Sequence, residues 1–376
     1  MKKNSSVSHL SPGSKASLLN ALKNAESILT GKRVTAGFDG FTDTIARIVR
    51  KKRNHKAPAY FTSIKEFGTY ITEKHSASFS LEIEETSKKP GGNMPIMSHT
   101  LGTLGIKTAC IGAFGYPLPH EIFKTMSPNC ELNSFADPGN STAFEFQDGK
   151  MFLAQMGALN SMGWNDIVTK IGMDKIRSYY READLVCLLN WSEIDASTSI
   201  WKGLLKDIFP SLPENKHPYL FIDLSDCSKR SKDAVGEALQ LMNEFAEHGR
   251  IILSLNKNEA GIISSQVSPK KKYNDVLSQG KKIFGSLSLH TLLIHSARET
   301  IAFRGDEQVS IPTFYTPKPF ISTGAGDNFN AGFCAAQLLE LDLAMAVIFA
   351  NATAGSYIRS GVAPRINDIK TFLENQ

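Results

Sequence analysis

Six stretches of strand length in this chain are apolar almost without interruption: Arg33–Gly37, Thr108–Gly112, Leu185–Leu189, Tyr219–Asp223, Ile251–Ser254 and Thr291–Ile294. A strand with one face in water alternates apolar and polar residues. A strand that is apolar throughout is buried on both faces, the environment of a parallel sheet covered by helices on each side. Between the runs the apolar spacing lengthens to three and four, as in Ala234–Phe245 with Val235, Ala238, Leu239, Leu241, Met242 and Phe245, which is helical. The alternation predicts an α/β fold with a mostly parallel, doubly wound central sheet. Ser17–Leu29 carries Leu18, Leu19, Leu22, Ala25, Ile28 and Leu29 and predicts an amphipathic helix ahead of the first strand. The expected division is a helical extension over residues 1–32 and an α/β domain over 33–376.

Two segments break this rhythm, roughly 41–84 and 142–155. In the second, Ala143–Phe146 alternates, Asp148-Gly149 supplies a hairpin turn and Met151–Leu153 follows. The expectation is a small antiparallel sheet inserted into the parallel domain, placed to act as a lid. Ligands of open α/β sheets sit beyond the carboxyl ends of the strands, so that is where chemistry is sought.

Composition excludes several alternatives. Hydrophobic residues make up 41% and charged residues 21% of the 376, an ordinary soluble balance. The longest apolar run, Leu343–Ala350, is far short of the roughly 18 residues that cross a bilayer, and Met1–Ser5 leads into polar sequence. No membrane partner and a cytoplasmic location are expected. Cys110, Cys130, Cys187, Cys227 and Cys334 are scattered without a CxxC spacing, which argues for free thiols and against a zinc site. The net charge of +5 suits anionic metabolites without calling for nucleic acid, and the basic runs Arg50–Lys56 and Lys270–Lys272 are expected to be solvated loops.

The strongest motif is Ser322-Thr323-Gly324-Ala325-Gly326-Asp327, followed by the helical stripe Phe329, Phe333, Leu338. Small residues let backbone N–H groups crowd together at a helix N-terminus, which holds anions. Spacing alone divides Asp327 evenly between an ordinary first-turn aspartate and a proton acceptor. The crowding of small residues directly before it favours the acceptor, beside a phosphoryl group held by the amides. Lys89-Pro90-Gly91-Gly92-Asn93 precedes a second helical stripe, Met97, Leu101 and Leu104. Paired glycines allow close approach of a ligand, and Asn93 offers donor and acceptor to hydroxyls. Asn256 and Glu259 follow an apolar run and fit either a capped helix start or a ligand site. Asp39 and Asp43, after the first strand, fit turn caps or carboxylates that bind a polyol. Asn351 lies in Ala350–Gly355, whose small residues suit tight helix packing or a purine pocket. No GxxxxGK[ST] occurs and Gly324-Ala325-Gly326 lacks a third glycine, so neither a P-loop nor a dinucleotide site is indicated.

Together, in order, these motifs resemble the ribokinase-like (PfkB) carbohydrate kinases over about Arg33–Phe372. The resemblance implies a three-layer α/β/α sandwich with a small β-sheet lid, which in that family often forms dimers. It implies an ATP-dependent sugar or polyol kinase, with a nucleoside kinase of the same fold or a catalytically silent sugar- or nucleotide-binding sensor as alternatives. By that likeness Asp327 is the base and Gly324, Ala325 and Gly326 form the anion hole. Asn256 and Glu259 organise Mg2+ through water, Gly91 and Gly92 with the Asp43 carboxylate take the sugar, and Asn351 borders the adenine; Asn93 and Asp39, from their own position beside these residues, are expected to join the sugar site. The nucleotide segment reads His295-Ser296-Ala297-Arg298-Glu299-Thr300, without the family's glycines, so His295 and Ala297 are expected to face the nucleotide. Ile96 stands where the family usually has an asparagine, and no particular sugar follows from the resemblance.

Overall fold

The computed structural model describes residues 12–53 and 56–376; Met1–Ser5 and the centre of the first basic run, Asn54 and His55, lie outside the described residues. Nine strands form the main sheet: β1 (Arg33–Gly37), β5 (Lys107–Gly112), β6 (Cys130–Ser134), β9 (Leu185–Leu189), β10 (Tyr219–Asp223), β11 (Arg250–Asn256), β12 (Thr291–His295), β13 (Glu299–Arg304) and β14 (Glu307–Pro312). Their order is β14-β13-β12-β11-β10-β9-β1-β5-β6. The six apolar runs are six adjacent parallel strands of this sheet, β12 through β5, flanked by β6 in parallel and by β13 and β14 antiparallel.

Alternate residues of each run enter different cores, which is why both faces are predominantly apolar. Val186, Leu188, Leu220, Ile222 and Leu253 pack with Ile200, Leu204, Val235 and Ile263 on one face. Cys187, Phe221, Ile252 and Leu293 pack with Leu101, Phe333, Val347 and Ile369 on the other. At about 1.5–3 kcal/mol for each large apolar side chain fully buried, these two layers dominate the stability. The N-terminal segment joins the second layer through Leu18, Leu22, Ala25 and Leu29, all fully buried. It is not the single helix expected over Ser17–Leu29: it starts at Pro12, runs to Ala21, tightens into a 3-10 turn at Leu22–Asn24 and resumes over Ala25–Thr30.

A second sheet of five strands stands apart: β2 (Phe41–Arg53), β3 (Lys56–Tyr60), β4 (Ile83–Gly91), β7 (Gly139–Phe146) and β8 (Gly149–Gln155). It reaches beyond the expected 41–84 and 142–155, and it is mixed rather than antiparallel, because β2 pairs β7 in parallel and β3 and β4 antiparallel. The hairpin turn is Gln147-Asp148, with Phe146 opposite Gly149, one residue earlier than expected. Asp148 is drawn into the turn because its carboxylate accepts from the Ile64 N–H at 2.8 Å. Arg50–Arg53 belong to β2 rather than to a loop. One face of this sheet is covered by the helix Ile64–Glu73 through Ala46, Ile48, Phe61, Phe67 and Phe144. Its other face points toward the carboxyl ends of the main sheet.

Candidate active site

Asp39 and Asn190 just after β1 and β9, and Asp223, Asn256 and His295 as the last residues of β10, β11 and β12, lie at the carboxyl ends of the strands and converge beside the start of the helix Ala325–Leu338. β1 is the point at which the chain order reverses, since β5 lies on one side of it and β9 on the other. A cleft opens at such a reversal because successive crossovers leave in opposite directions.

Asp39 is completely buried. Its Oδ1 accepts from the Met94 N–H at 2.9 Å and its Oδ2 from Asn190 Nδ2 at 2.6 Å. Burial pushes its carboxyl up to about 6, opposed by those hydrogen bonds. Asp39 thereby ties β1 both to β9 and to the N-terminus of the helix Asn93–Thr103. Asp43 is also buried, and desolvation raises its carboxyl while the Lys89 ammonium and a Ser141 hydrogen bond lower it.

The two carboxylates by themselves require the glycine pair to be small. A Cβ on Gly91 would stand 2.1 Å from Asp43 Oδ1, and one on Gly92 would stand 2.4 Å from Asp39 Oδ2. Gly92 also has φ +94°, a conformation that side chains disfavour. Asn93 does not offer its amide freely: Nδ2 donates to Ser225 Oγ at 2.9 Å.

Gly324, with φ +86°, opens the helix that carries Asp327 in its first turn. The Asp327 carboxyl lies deep in the cleft with residual access to solvent. Burial raises it well above the usual carboxylate range, and the charges of Asp223, Asp39 and Asp43 add to that shift while its own backbone N–H opposes it. A carboxylate raised in this way is a stronger proton acceptor than one in water. Asp223 is likewise raised by burial, against hydrogen bonds from the Ser225 N–H, Asn330 and Asn93. Asn330 Nδ2 donates to Asp223 Oδ2 at 2.8 Å while its Oδ1 accepts from Ser254 Oγ at 2.8 Å. That bridge fixes the Asp327 helix to β10 and β11.

Asn256 and Glu259 are a helix cap and an acidic site at once. Asn256 Oδ1 accepts from the Glu259 N–H at 3.0 Å, and Glu259 Oε2 accepts from the Asn256 N–H at 2.8 Å, a capping box. Yet Glu259 is buried, and desolvation with the nearby Asp223 charge pushes its carboxyl up to about 8. Two facing buried carboxylates are a combination that a hydrated divalent cation would relieve. Among the described residues no group of three or more His, Cys, Asp or Glu side chains is gathered for direct metal ligation.

On the other side of Asp327 lies a slot of about 660 Å3 lined by His295, Ala297, Phe314, Tyr315, Ala325 and Gly326 among others. His295 packs against Phe329 with centroids 5.1 Å apart and the rings tilted by 39°, and burial pushes its imidazole down to about 4, so it is neutral near pH 7. Asn351 reaches the slot, but its side chain serves the fold: Oδ1 accepts from Thr300 Oγ1 at 2.9 Å and Nδ2 donates to the Pro312 carbonyl at 3.4 Å. Of the small residues beside it, Gly355 is closed in by Phe314 and Phe372, each with an atom 3.1 Å from where a Cβ on that glycine would stand. The stretch thus combines tight packing with a pocket wall.

Asp223, Asn190, Asn330 and Lys89 are the site residues that sequence reasoning missed. The signal for the first two was present, since each is the polar residue at the carboxyl end of an apolar run. Asn330 and Lys89 had none, because what they touch is set by elements distant in the chain.

A family model for prokaryotic ketohexokinases matches residues 14–376, beginning inside the N-terminal helix. The ketohexokinase of Haloferax volcanii is 26% identical over 346 residues, 91% of each chain. The ribokinase of Arabidopsis thaliana, solved with ribose and ATP, superimposes with a TM-score of 0.63 at 16% identity over 91% of this chain and 98% of that one. The adenosine kinase of Sinorhizobium meliloti gives 0.64 at 16% identity over 92% and 98%, and the ribokinase of Thermotoga maritima 0.61 at 15% over 92% and 100%. The fold is ribokinase-like, with its central sheet between two helical layers and a small separate sheet. The chain belongs to the prokaryotic ketohexokinase family, and with it to the ATP-dependent sugar kinases.

Proposed function

We propose that this protein transfers the terminal phosphoryl group of ATP to a hydroxyl of a ketohexose, with Asp327 as general base. The observation that carries the reading is the position of Asp327: it stands at the Gly324–Gly326 helix start, with Asp39 and Asp43 on one side and the 660 Å3 slot on the other. A sugar on the Asp43 side and a nucleotide in the slot would meet at that carboxylate. Asp327 would take the proton of the attacking hydroxyl while the amides of Gly324, Ala325 and Gly326 meet charge developing on the phosphoryl oxygens. The buried pair Glu259 and Asp223 suits Mg2+ held through water, with Asn256 beside them. Bound there, the ion would supply neutralisation of phosphate charge. Asp43 would accept hydroxyls of the sugar, and His295, Ala297 and Asn351 would wall the nucleotide.

The small sheet fits the role of a lid that excludes water over the sugar. Its edge strand β8 exposes Phe152 and Leu153, which suits a homodimer formed through the lid. The test is ADP release over ketohexoses, aldohexoses, pentoses and nucleosides, followed by Asp327→Asn. That variant keeps shape and loses basicity, so turnover should fall by about 10² to 10⁴ with ligand binding little changed. No ADP release with any ketohexose would overturn the substrate reading, and full activity of Asp327→Asn would overturn the base.

A further inference from the structure

The small sheet presents an unusual pattern of charge on the face turned toward the Asp327 helix. Asp43 on β2 lies opposite Lys89 on β4 and Ser141 on β7, and four residues further along β7, beyond Ala143 on the same face, Glu145 lies opposite Lys150 on β8. Residues directly opposite one another share a face, and residues two apart return to it. Lys89, Asp43, Glu145 and Lys150 therefore line one surface, the reverse of the one covered by the helix Ile64–Glu73. The other described lysines of these strands with assigned exposure, Lys51, Lys52 and Lys88, are exposed to solvent. Lys89 is half-buried.

Lys150 Nζ lies 3.0 Å from Glu145 Oε1 and 3.3 Å from Thr323 Oγ1, one residue before Gly324. Lys89 borders a cavity shared with Ile96, Asn328 and Tyr357, beside the same helix start, and among the described residues it makes no ion pair or hydrogen bond. Both lysines thus approach the amide cluster from the lid side, and Lys89 is within the electrostatic reach of Asp43 and Asp327.

We propose that Lys89 and Lys150 are phosphoryl-binding residues, which hold the terminal phosphoryl group of the nucleotide against the Gly324–Gly326 amides and Asp327. This deepens the proposed function and rests on its reading of that helix start as the phosphoryl site. The physical need is plain. The cleft already holds Asp39, Asp43, Asp223, Glu259 and Asp327, and a nucleoside triphosphate adds about four more negative charges. Fixed cations aimed at the transferring group offset that repulsion and gain strength as the cleft loses water. In the step itself the sugar hydroxyl gives its proton to Asp327 and its oxygen bonds to phosphorus. The bond from phosphorus to the bridging oxygen breaks, and ADP leaves with the electron pair. The lysines transfer no proton. Burial and the neighbouring Lys150 ammonium hold Lys89 below its ordinary range, against the pull of Asp43, consistent with a cation awaiting an anionic partner.

The competing reading is structural: Asp43–Lys89 and Glu145–Lys150 as cross-strand pairs that staple the sheet. Lys89→Met, Lys150→Met and Glu145→Gln separate the two, each checked by thermal melting. Phosphoryl binding predicts a fall in kcat of about 10² to 10³ for either lysine variant, the usual consequence of removing one stabiliser of transition-state charge. It further predicts weaker binding of a non-hydrolysable ATP analogue, by tenfold or more, with ADP binding within twofold of wild type. Glu145→Gln should leave kcat within threefold. Equal effects on the analogue and ADP, or a loss in Glu145→Gln as large as in Lys150→Met, would overturn the proposal. Should the wild type itself release no ADP with ketohexoses while the lysine variants still separate analogue from ADP, the substrate reading fails and the phosphoryl site stands.

Discussion

Gly92→Ala probes the physical reason for the glycine pair, and its magnitude can be worked from the site. Gly92 has φ +94°, where a side chain costs about 1–2 kcal/mol. The new Cβ would stand 2.4 Å from Asp39 Oδ2 and 3.1 Å from Phe41 Cδ2, so the carboxylate must withdraw by about an ångström to reach an ordinary contact. Asp39 has nowhere neutral to go. It is fully buried and both oxygens are occupied, by the Met94 N–H and by Asn190. Losing one hydrogen bond to a charged group costs about 1.5–3 kcal/mol. The combined expectation is a loss of about 3–5 kcal/mol. Urea unfolding reads it directly, with Gly68→Ala as the control. Gly68 sits within the helix Ile64–Glu73 with nothing within 4 Å of an added Cβ, and that change should stabilise by about 0.5–1 kcal/mol. A Gly92→Ala protein that unfolds within about 1 kcal/mol of wild type, no more than a typical substitution costs, would refute the steric argument.

Asp43→Ala should weaken ketohexose binding by about 1–3 kcal/mol, because hydroxyls of the sugar would lose their acceptor in a desolvated site. Calorimetry should find ATP binding unchanged; sugar binding equal to wild type would remove Asp43 from the site. The metal-free protein should lose stability as pH rises from 6.5 to 8. In the folded state Glu259 holds its proton up to about 8, whereas its ordinary value is 4.5, so the folded state binds the extra proton and the stability this confers disappears as pH climbs through 8. The limiting slope is about 1.4 kcal/mol per pH unit. His290 and His295, both pushed down to about 4, act in the opposite sense only below about 6.5 and are silent in this window. Melting temperatures of wild type and Glu259→Gln across the range test this, and equal slopes would contradict it.

What was legible in the chain is what local chemistry decides. Runs apolar on both faces can only be interior strands, and Tyr219–Asp223 or Leu185–Leu189 had no other stable environment. Gly324-Ala325-Gly326 before Asp327 can crowd amides whatever surrounds it. Of the strands that escaped reading, β6 and β14 are the edges of the main sheet, where one side meets water and the apolar signature thins, whereas β13 is buried but has only Thr300–Phe303 between the charged Glu299 and Arg304. The tertiary structure decided the rest. It assigned the space beside Gly91 and Gly92 to Asp43 and Asp39, engaged Asn351 with Thr300 and Pro312, and made Asn256 and Glu259 a capping box while burying the Glu259 carboxyl within reach of the Asp223 charge. It brought Asp223 to Asn330, 107 residues away along the chain, and turned Lys89 and Lys150 to the inner face of the small sheet. Such contacts depend on register and crossover rather than on neighbours in sequence. A residue one position out of register in a strand faces the opposite way, so composition and spacing carry the chemistry of a site while topology alone decides which groups meet there.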